Sequence, residues 1–224
     1  MPSSRAKRGA ATKRLDLFAK LRVLLRAPVD PERMLRSVTS LVAVEIGQYC
    51  IADIVDRRGA LRRLEIEHAD PSRRARLRVA CEDAVFEPGG RVARLVASGG
   101  SEVVGRVTEG AKARALADIR LLDGDRVRSY MAAAVPGNGA AMAVLSVVVT
   151  SGTRRYDDAD LECLVAIAEW TGLGLENAIR REAQAHATTE RVTVPPSSQV
   201  MGGEEAQTGV RRTNPLRERE RVSR

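Results

Sequence analysis

The segment GDRVRSYMAAAVPGNGAAMAVLSVVVTSGTRRYDDADLECLVAIAEWTGLGLENAIRR, residues 124–181, decides the fold. Two apolar runs meet at Asn138-Gly139, a pair that tolerates the positive φ demanded by a two-residue hairpin turn. Beyond the second run, Asp157 or Asp158 can cap the first amides of a long helix, and Asp160 suits the positive end of its dipole. Along the first run Tyr130, Ala132 and Ala134 alternate with Met131, Ala133 and Val135, so the hairpin is apolar on both faces. A sheet of that kind must be covered twice. The pattern predicts an α+β chain layered α/β/α, with a central antiparallel sheet.

Working outward, Leu15 to Arg26 reads as a short helix and Asp30-Pro31 opens a second, the aspartate as cap and the proline at the first helical position. Met34, Leu35, Val38, Leu41 and Val42 form its apolar stripe, and Gly47 ends it. Gln48 to Asp56 is a strand, Arg58-Gly59 a turn, and Leu61 to Ala69 a second strand carrying Leu61, Leu64 and Ile66. Asp70-Pro71 repeats the helix-start signal, for a helix to about Phe86. Gly89-Gly90 and Ser98-Gly99-Gly100 bracket a short helix at Arg91 to Ala97, Glu102 to Val107 is a candidate strand, and Ala111 to Leu122 has helical composition. The terminal helices are expected on one face of the sheet. The middle segment, residues 71–122, is expected on the other as a helix/loop cover with any ligand pocket beneath it. Residues 1–14 and 187–224 are low in hydrophobicity and are expected to be disordered arms flanking a domain at 15–186.

Composition narrows the function. Hydrophobic residues make up 44% of the chain but aromatics only 3%, so the core must be built from Ala, Val, Leu and Ile. Of the net charge of +8, all but +1 lies at the ends. Residues 1–14 hold five basic side chains and no acid, and residues 187–224 seven arginines against five glutamates. Neither end interleaves aromatics with its arginines, which argues against nucleic-acid binding. No apolar run has the length of a membrane span, and no leader pattern opens the chain. Three widely spaced cysteines form neither a disulfide framework nor a zinc site. A cytoplasmic protein without a metal is the expectation.

Several stretches taken together carry a family resemblance: YCIADIVD (49–56), LRRLEIEHADP (61–71), GRVARLVASG (90–99), RSYMAAAVP (128–136), RRYDDADL (154–161) and LENAIRREAQ (175–184). The chain resembles GAF domains, small-molecule-sensing and dimerising modules, and in particular those upstream of bacterial histidine kinases and PP2C-type phosphatases. The resemblance implies a regulatory sensor of bacterial signal transduction, in the manner of two-component systems, that passes its signal through a dimeric bundle of terminal helices. It departs from those proteins after the last helix. His186 lacks the surroundings of a phospho-accepting histidine, and the remaining residues are too few for a catalytic module, so the expected output runs through a separate histidine kinase or other effector. Cyclic-nucleotide and bilin signatures are missing, and the sequence names neither ligand nor cofactor.

The candidate pocket residues are Tyr49, Cys50, Asp53, His68 and Tyr130. Each has a plainer reading beside it: Cys50, like Cys81 and Cys163, as a buried inert thiol, and His68 as a hydrogen-bonded strand-end residue. Arg73, Arg74, Arg76 and Arg78 crowd one helix and read first as a solvated face. No catalytic residue is assigned. One GAF branch reduces free methionine sulfoxide with closely grouped cysteines, but the gaps here, 31 and 82 residues, do not match it. On the last helix, Leu161, Leu164, Val165, Ala168, Leu175 and Ile179 trace one apolar stripe. Ile167, Trp170 and Leu173 trace another, which predicts a homodimer. A non-ligand-binding docking scaffold for a kinase is the competing expectation.

Overall fold

A computed structural model of the chain describes residues 4–56, 58–74, 77, 86–108 and 126–193. Cys81, Arg76, Arg78, the helix expected at 111–122 and the chain after Thr193 lie outside them. Among the described residues, the elements follow in the order α1 (Ser4–Arg26), α2 (Pro31–Glu45), β1 (Tyr49–Val55), β2 (Leu61–His68), α3 (Arg91–Ser98), β3 (Ser101–Val104), β4 (Ser129–Pro136), β5 (Ala141–Val149) and α4 (Asp158–Thr193). The strands form one antiparallel sheet in the order β2-β1-β5-β4-β3. The expected α+β architecture is present, with α1, α2 and α4 on one face and α3 on the other.

The local signals act as read. Asp30 accepts the Arg33 amide at 2.8 Å with Pro31 at the first helical position. Asp157 accepts the Asp160 amide at 3.0 Å, so it is Asp157 that caps α4. Gly139 closes the β4–β5 hairpin at φ 92°. Asp56 ties the β1–β2 turn by accepting the amides of Arg58 and Ala60.

The terminal helices cross the domain bounds expected at 15 and 186: residues 4–14 fall within α1 and residues 187–193 within α4. Alanine and long basic residues propagate a helix at little cost once an adjoining turn is fixed by packing. Arg14 adds an anchor by donating to the Ala159 carbonyl at 2.8 Å.

The β1–β2 ladder is not regular. Register shifts between Ala52 and Asp53, so that Ala52 faces Glu65 while Asp53 faces Arg63, and Leu64 is the extra residue. A bulge of this kind turns successive side chains out of strict alternation. Leu64 enters the helix-side core and Ile66 the opposite one, although both stand two apart on the same strand. Arg36 of α2 donates to the bulge carbonyl of Leu64 at 2.8 Å and also binds Glu65.

Candidate functional site

On the sheet face beneath α3, side chains fall into three cross-strand rows. One row runs Val104, Tyr130, Val148, Tyr49, His68. The next runs Glu102, Ala132, Ser146, Ile51, Ile66, and the third contains Val144, Asp53 and Arg63. Of the five sequence-predicted pocket residues, Tyr49, His68 and Tyr130 therefore share one row, and Asp53 lies on the same face. Cys50 does not. It pairs with Glu67 and Val147 and packs in the helix-side core. Period-two alternation cannot place neighbouring Tyr49 and Cys50 on one face, so Cys50 is excluded from a site beneath α3.

The centre of this face holds a cluster of polar groups in an apolar wall. Ala132 and Ser146 are small, and the guanidinium of Arg91, the first residue of α3, comes down above them. Its Nη1 donates to the Tyr130 hydroxyl at 2.6 Å and to Ser146 Oγ at 3.3 Å, and the guanidinium carbon stands 4.8 Å from the Tyr130 ring centre. The Tyr130 hydroxyl in turn donates to Glu102 Oε1, which is 3.9 Å from Arg91 Nη1. Burial holds the Tyr130 phenol well above its ordinary pKa, with Arg91 pulling the other way. Tyr49, Ile51, Val92, Leu95, Val144 and Val148 enclose the cluster.

A fully buried charge pair lies in the third row. Arg63 Nε meets Asp53 Oδ1 at 2.8 Å with both side chains essentially inaccessible, and Phe86 faces the Arg63 guanidinium at 5.6 Å. At the β2 edge, His68 packs edge-on against Tyr49 at 4.5 Å. The Asp70 amide donates to its Nδ1 at 2.8 Å, and Arg73 Nη1 lies 3.4 Å from its Nε2. Arg73 lies over the Tyr49 ring and Arg74 pairs with Glu67 at 2.9 Å, so these two arginines fold onto the sheet edge rather than projecting as a solvated face.

Sequence reasoning missed Arg91, Glu102, Ser146 and Arg63. Two signals pointed to the first and third. An arginine at the first position of a helix opposes the macrodipole. A lone serine in the run AMAVLSVVV needs a partner if the strand is buried.

The thiols sit elsewhere. Cys50 and Cys163 are both buried in the helix-side core, and burial pushes each thiol's pKa up. The predicted dimer stripe is also split: Ile167 is fully buried in that core, whereas Trp170 is 41% and Leu173 64% exposed. Ile167 is therefore a core residue and not part of an intersubunit surface. Helix α4 leans so closely on α1 and β4 that Ile167 faces inward with Leu164 and Ala168. Among the described residues, no group of three His, Cys, Asp or Glu could hold a metal ion, and no helix is long and apolar enough to cross a membrane.

A separate groove of about 800 Å³ opens on the helix side, between the α2 N-terminus, the β1–β2 turn and α4. Leu35, Ile54, Met142 and Leu175 contribute to its lining, and Glu32 and Arg62 pair at its rim.

No protein-family model matches the sequence, and neither does any curated protein. Solved structures do. The chain is similar to the GAF domain of a putative sensor histidine kinase from Pseudomonas syringae pv. tomato, at 14% identity and TM-score 0.53, over 83% of this chain and 99% of that one. It is similar to the GAF domain of a phosphoenolpyruvate-protein phosphotransferase from Coxiella burnetii, at 11% identity and TM-score 0.59, over 77% and 98%. It is also similar to a free methionine-R-sulfoxide reductase from Neisseria meningitidis, at 18% identity and TM-score 0.57, over 81% and 96%. The chain has the GAF fold.

Proposed function

We propose that this chain is a regulatory sensor of signal transduction. It takes a small ligand or a partner on the α3 face of the sheet and transmits the change through α1 and α4, without catalysis of its own. One observation carries the reading: a single sheet separates a buried, charge-bearing face from a core of aliphatic side chains that holds the terminal helices. Burying an arginine costs several kcal/mol even when it is paired, so a face serving packing alone gains nothing from Arg91. The relatives of this fold in a sensor kinase and a phosphotransferase support the same class.

Transmission in this proposal uses a homodimer built on the exposed part of α4, with a separate histidine kinase or other effector in the cytoplasm receiving the signal. Trp170 meets Phe18 of α1 edge-on at 5.2 Å, which makes the two helices one surface. A reductase with a reactive thiol is the reading that the Neisseria neighbour raises. Against it, Cys50 and Cys163 lie on the far side of the sheet from Arg91 and Tyr130, and a nucleophilic thiol needs a lowered pKa. The competing scaffold reading is favoured by Arg91, Tyr130 and Glu102 already satisfying one another.

A thermal-shift screen against nucleotides, haem, flavins and small metabolites tests the proposal, together with mass spectrometry of molecules that co-purify. Reproducible stabilisation by a ligand supports the sensor. No stabilisation, with recovery of a kinase in pull-down, supports the scaffold.

A further inference from the structure

The groove of about 800 Å³ on the helix side has the size of a small-molecule site. Its floor is aliphatic. Leu35 and Leu175 are buried there, Ile54 and Met142 are half-buried, and Ile179 on the α4 wall is 46% exposed. Its rim is charged and does not balance. Asp30, Glu32, Asp56 and Glu182 stand against Arg58 and Arg62. Glu32 pairs with Arg62. Asp56 accepts the amides of Ala60 and Arg58, and these bonds, with Arg58 and Arg62 close by, hold its carboxyl below the ordinary range. Asp30 and Glu182 are left without a cationic side chain within ion-pair distance among the described residues. Asp30 caps α2, so its charge has a structural use. Glu182, on the opposite wall, has none.

We propose that this groove binds a small aliphatic amine, its ammonium at the rim beside Glu182 and its hydrocarbon chain on Leu35, Ile54, Met142 and Ile179. The site lies across the sheet from Arg91 and stands independently of the α3-face reading. An anion entering the groove adds to an excess of negative charge, whereas an ammonium reduces it. A solvent-exposed ion pair contributes little by itself, so burial of the chain supplies the affinity and the rim chooses the head group. Leu175, Ile179 and Glu182 follow one another at i, i+4 and i+7 and so share one face of α4. The same turns are held on another side by α1, where Gly174 lies against Leu25 and Arg181 donates to the Ala27 carbonyl at 3.4 Å. A molecule in the groove therefore bears on α4 where α1 leaves it open, and occupancy is coupled to the terminal helix.

The test titrates the full chain, isotope-labelled at its Met and Ile methyls, with n-octylamine, 1-octanol and octanoate, followed by NMR. The three probes share one chain length and differ in charge near neutral pH. n-Octylamine should shift the Met142, Ile54 and Ile179 methyls and bind about tenfold more tightly than octanoate, with 1-octanol between them, and added salt should narrow that difference. Glu182→Gln should weaken the amine about three- to fivefold and leave 1-octanol unchanged, a split that a merely structural role would not produce. Ile179→Ser should weaken all three probes, and its own melting curve verifies that it folds. Equal affinity for n-octylamine and octanoate, shifts confined to Ile51 and Ile66 on the α3 face, or no shift with any probe overturns the inference and leaves the sensor reading in place. The peptide VRRTNPLR, residues 210–217 of this chain, is the competing occupant. If it displaces n-octylamine at a lower concentration than the amine itself needs, the groove belongs to that basic segment and the inference falls.

Discussion

Asp53 and Arg63 form an ion pair at 2.8 Å that is closed to solvent on both sides, and a one-residue bulge is what sets them opposite each other. Removing one partner leaves the other charged and buried, which costs about 3–5 kcal/mol. Asp53→Ala should therefore destabilise the protein by about that amount in urea unfolding. The double variant Asp53→Leu with Arg63→Met should recover most of the loss, because an apolar pair of similar volume carries no desolvation penalty. A single variant within about 1 kcal/mol of wild type would show that water reaches the pair.

Gly172 lies in the middle of α4, where glycine weakens a helix by about 1 kcal/mol relative to alanine. A Cβ at this position would fall well inside van der Waals distance of the Pro136 carbonyl oxygen on β4, and a Cβ on Gly174 would meet Leu25 of α1 at 2.7 Å. The Pro136 carbonyl is backbone fixed at the end of β4, whereas the Leu25 methyl is a side-chain end that can turn aside. Gly172→Ala should lower the urea midpoint despite its better helix propensity, with a cost of about 1–3 kcal/mol from overpacking. A raised midpoint would mean that α4 can lift off the end of β4.

These elements show which parts of the molecule could be read in advance. The hairpin at Asn138-Gly139, the aspartate caps and the two faces of β4 depend on residues close in sequence, and the structure has them where local chemistry puts them. Tyr49, His68 and Tyr130 stand on three strands and come into one row only through the pairing of β2, β1, β5 and β4. The Asp53–Arg63 pair was not legible either, since a bulge depends on how two strands meet and not on either alone. Arg91 and Glu102 are separated by eleven positions and meet Tyr130 only through the fold. By composition each reads as a solvated surface charge. Ile167 was misplaced because a helix touching α1 and the sheet at once buries a wider arc than a single stripe.

Stability should fall in alkali. Cys50, Cys163, Tyr130 and Tyr156 all have pKa values raised above the ordinary 9.0 and 10.0, in each case chiefly by burial. A group that holds its proton more tightly when folded contributes stability fully present below its unfolded pKa and lost as pH rises through the folded one. Urea midpoints should thus be level from about pH 7 to about pH 8.5 and decline steadily above about pH 9.5. Cys50→Ala should flatten part of that decline. The same protection predicts that iodoacetamide labels Cys50 and Cys163 in urea but leaves both unmodified in the native protein at about pH 8. Rapid native labelling of Cys50 would contradict its burial against the helices.

Trp170 and Leu173, one helical turn apart on α4, are the largest apolar side chains that this helix leaves exposed before Ile179, and Leu15 and Val23 are exposed on α1. Buried on both chains of a homodimer they would form a four-helix contact. Light scattering of the wild-type chain at tens of micromolar should then give twice the mass of 24.3 kDa. Leu173→Glu places a charge at the centre of that contact without touching the monomer core, so it should yield a monomer with an unchanged urea midpoint once corrected for protein concentration. Ile167→Ala is the control in the opposite sense. It should cost about 2–4 kcal/mol of stability through a core cavity while the residual folded protein still dimerises. A Leu173→Glu protein that remains dimeric assigns the subunit contact to another surface, and a wild-type chain that is monomeric removes the dimer from the mechanism.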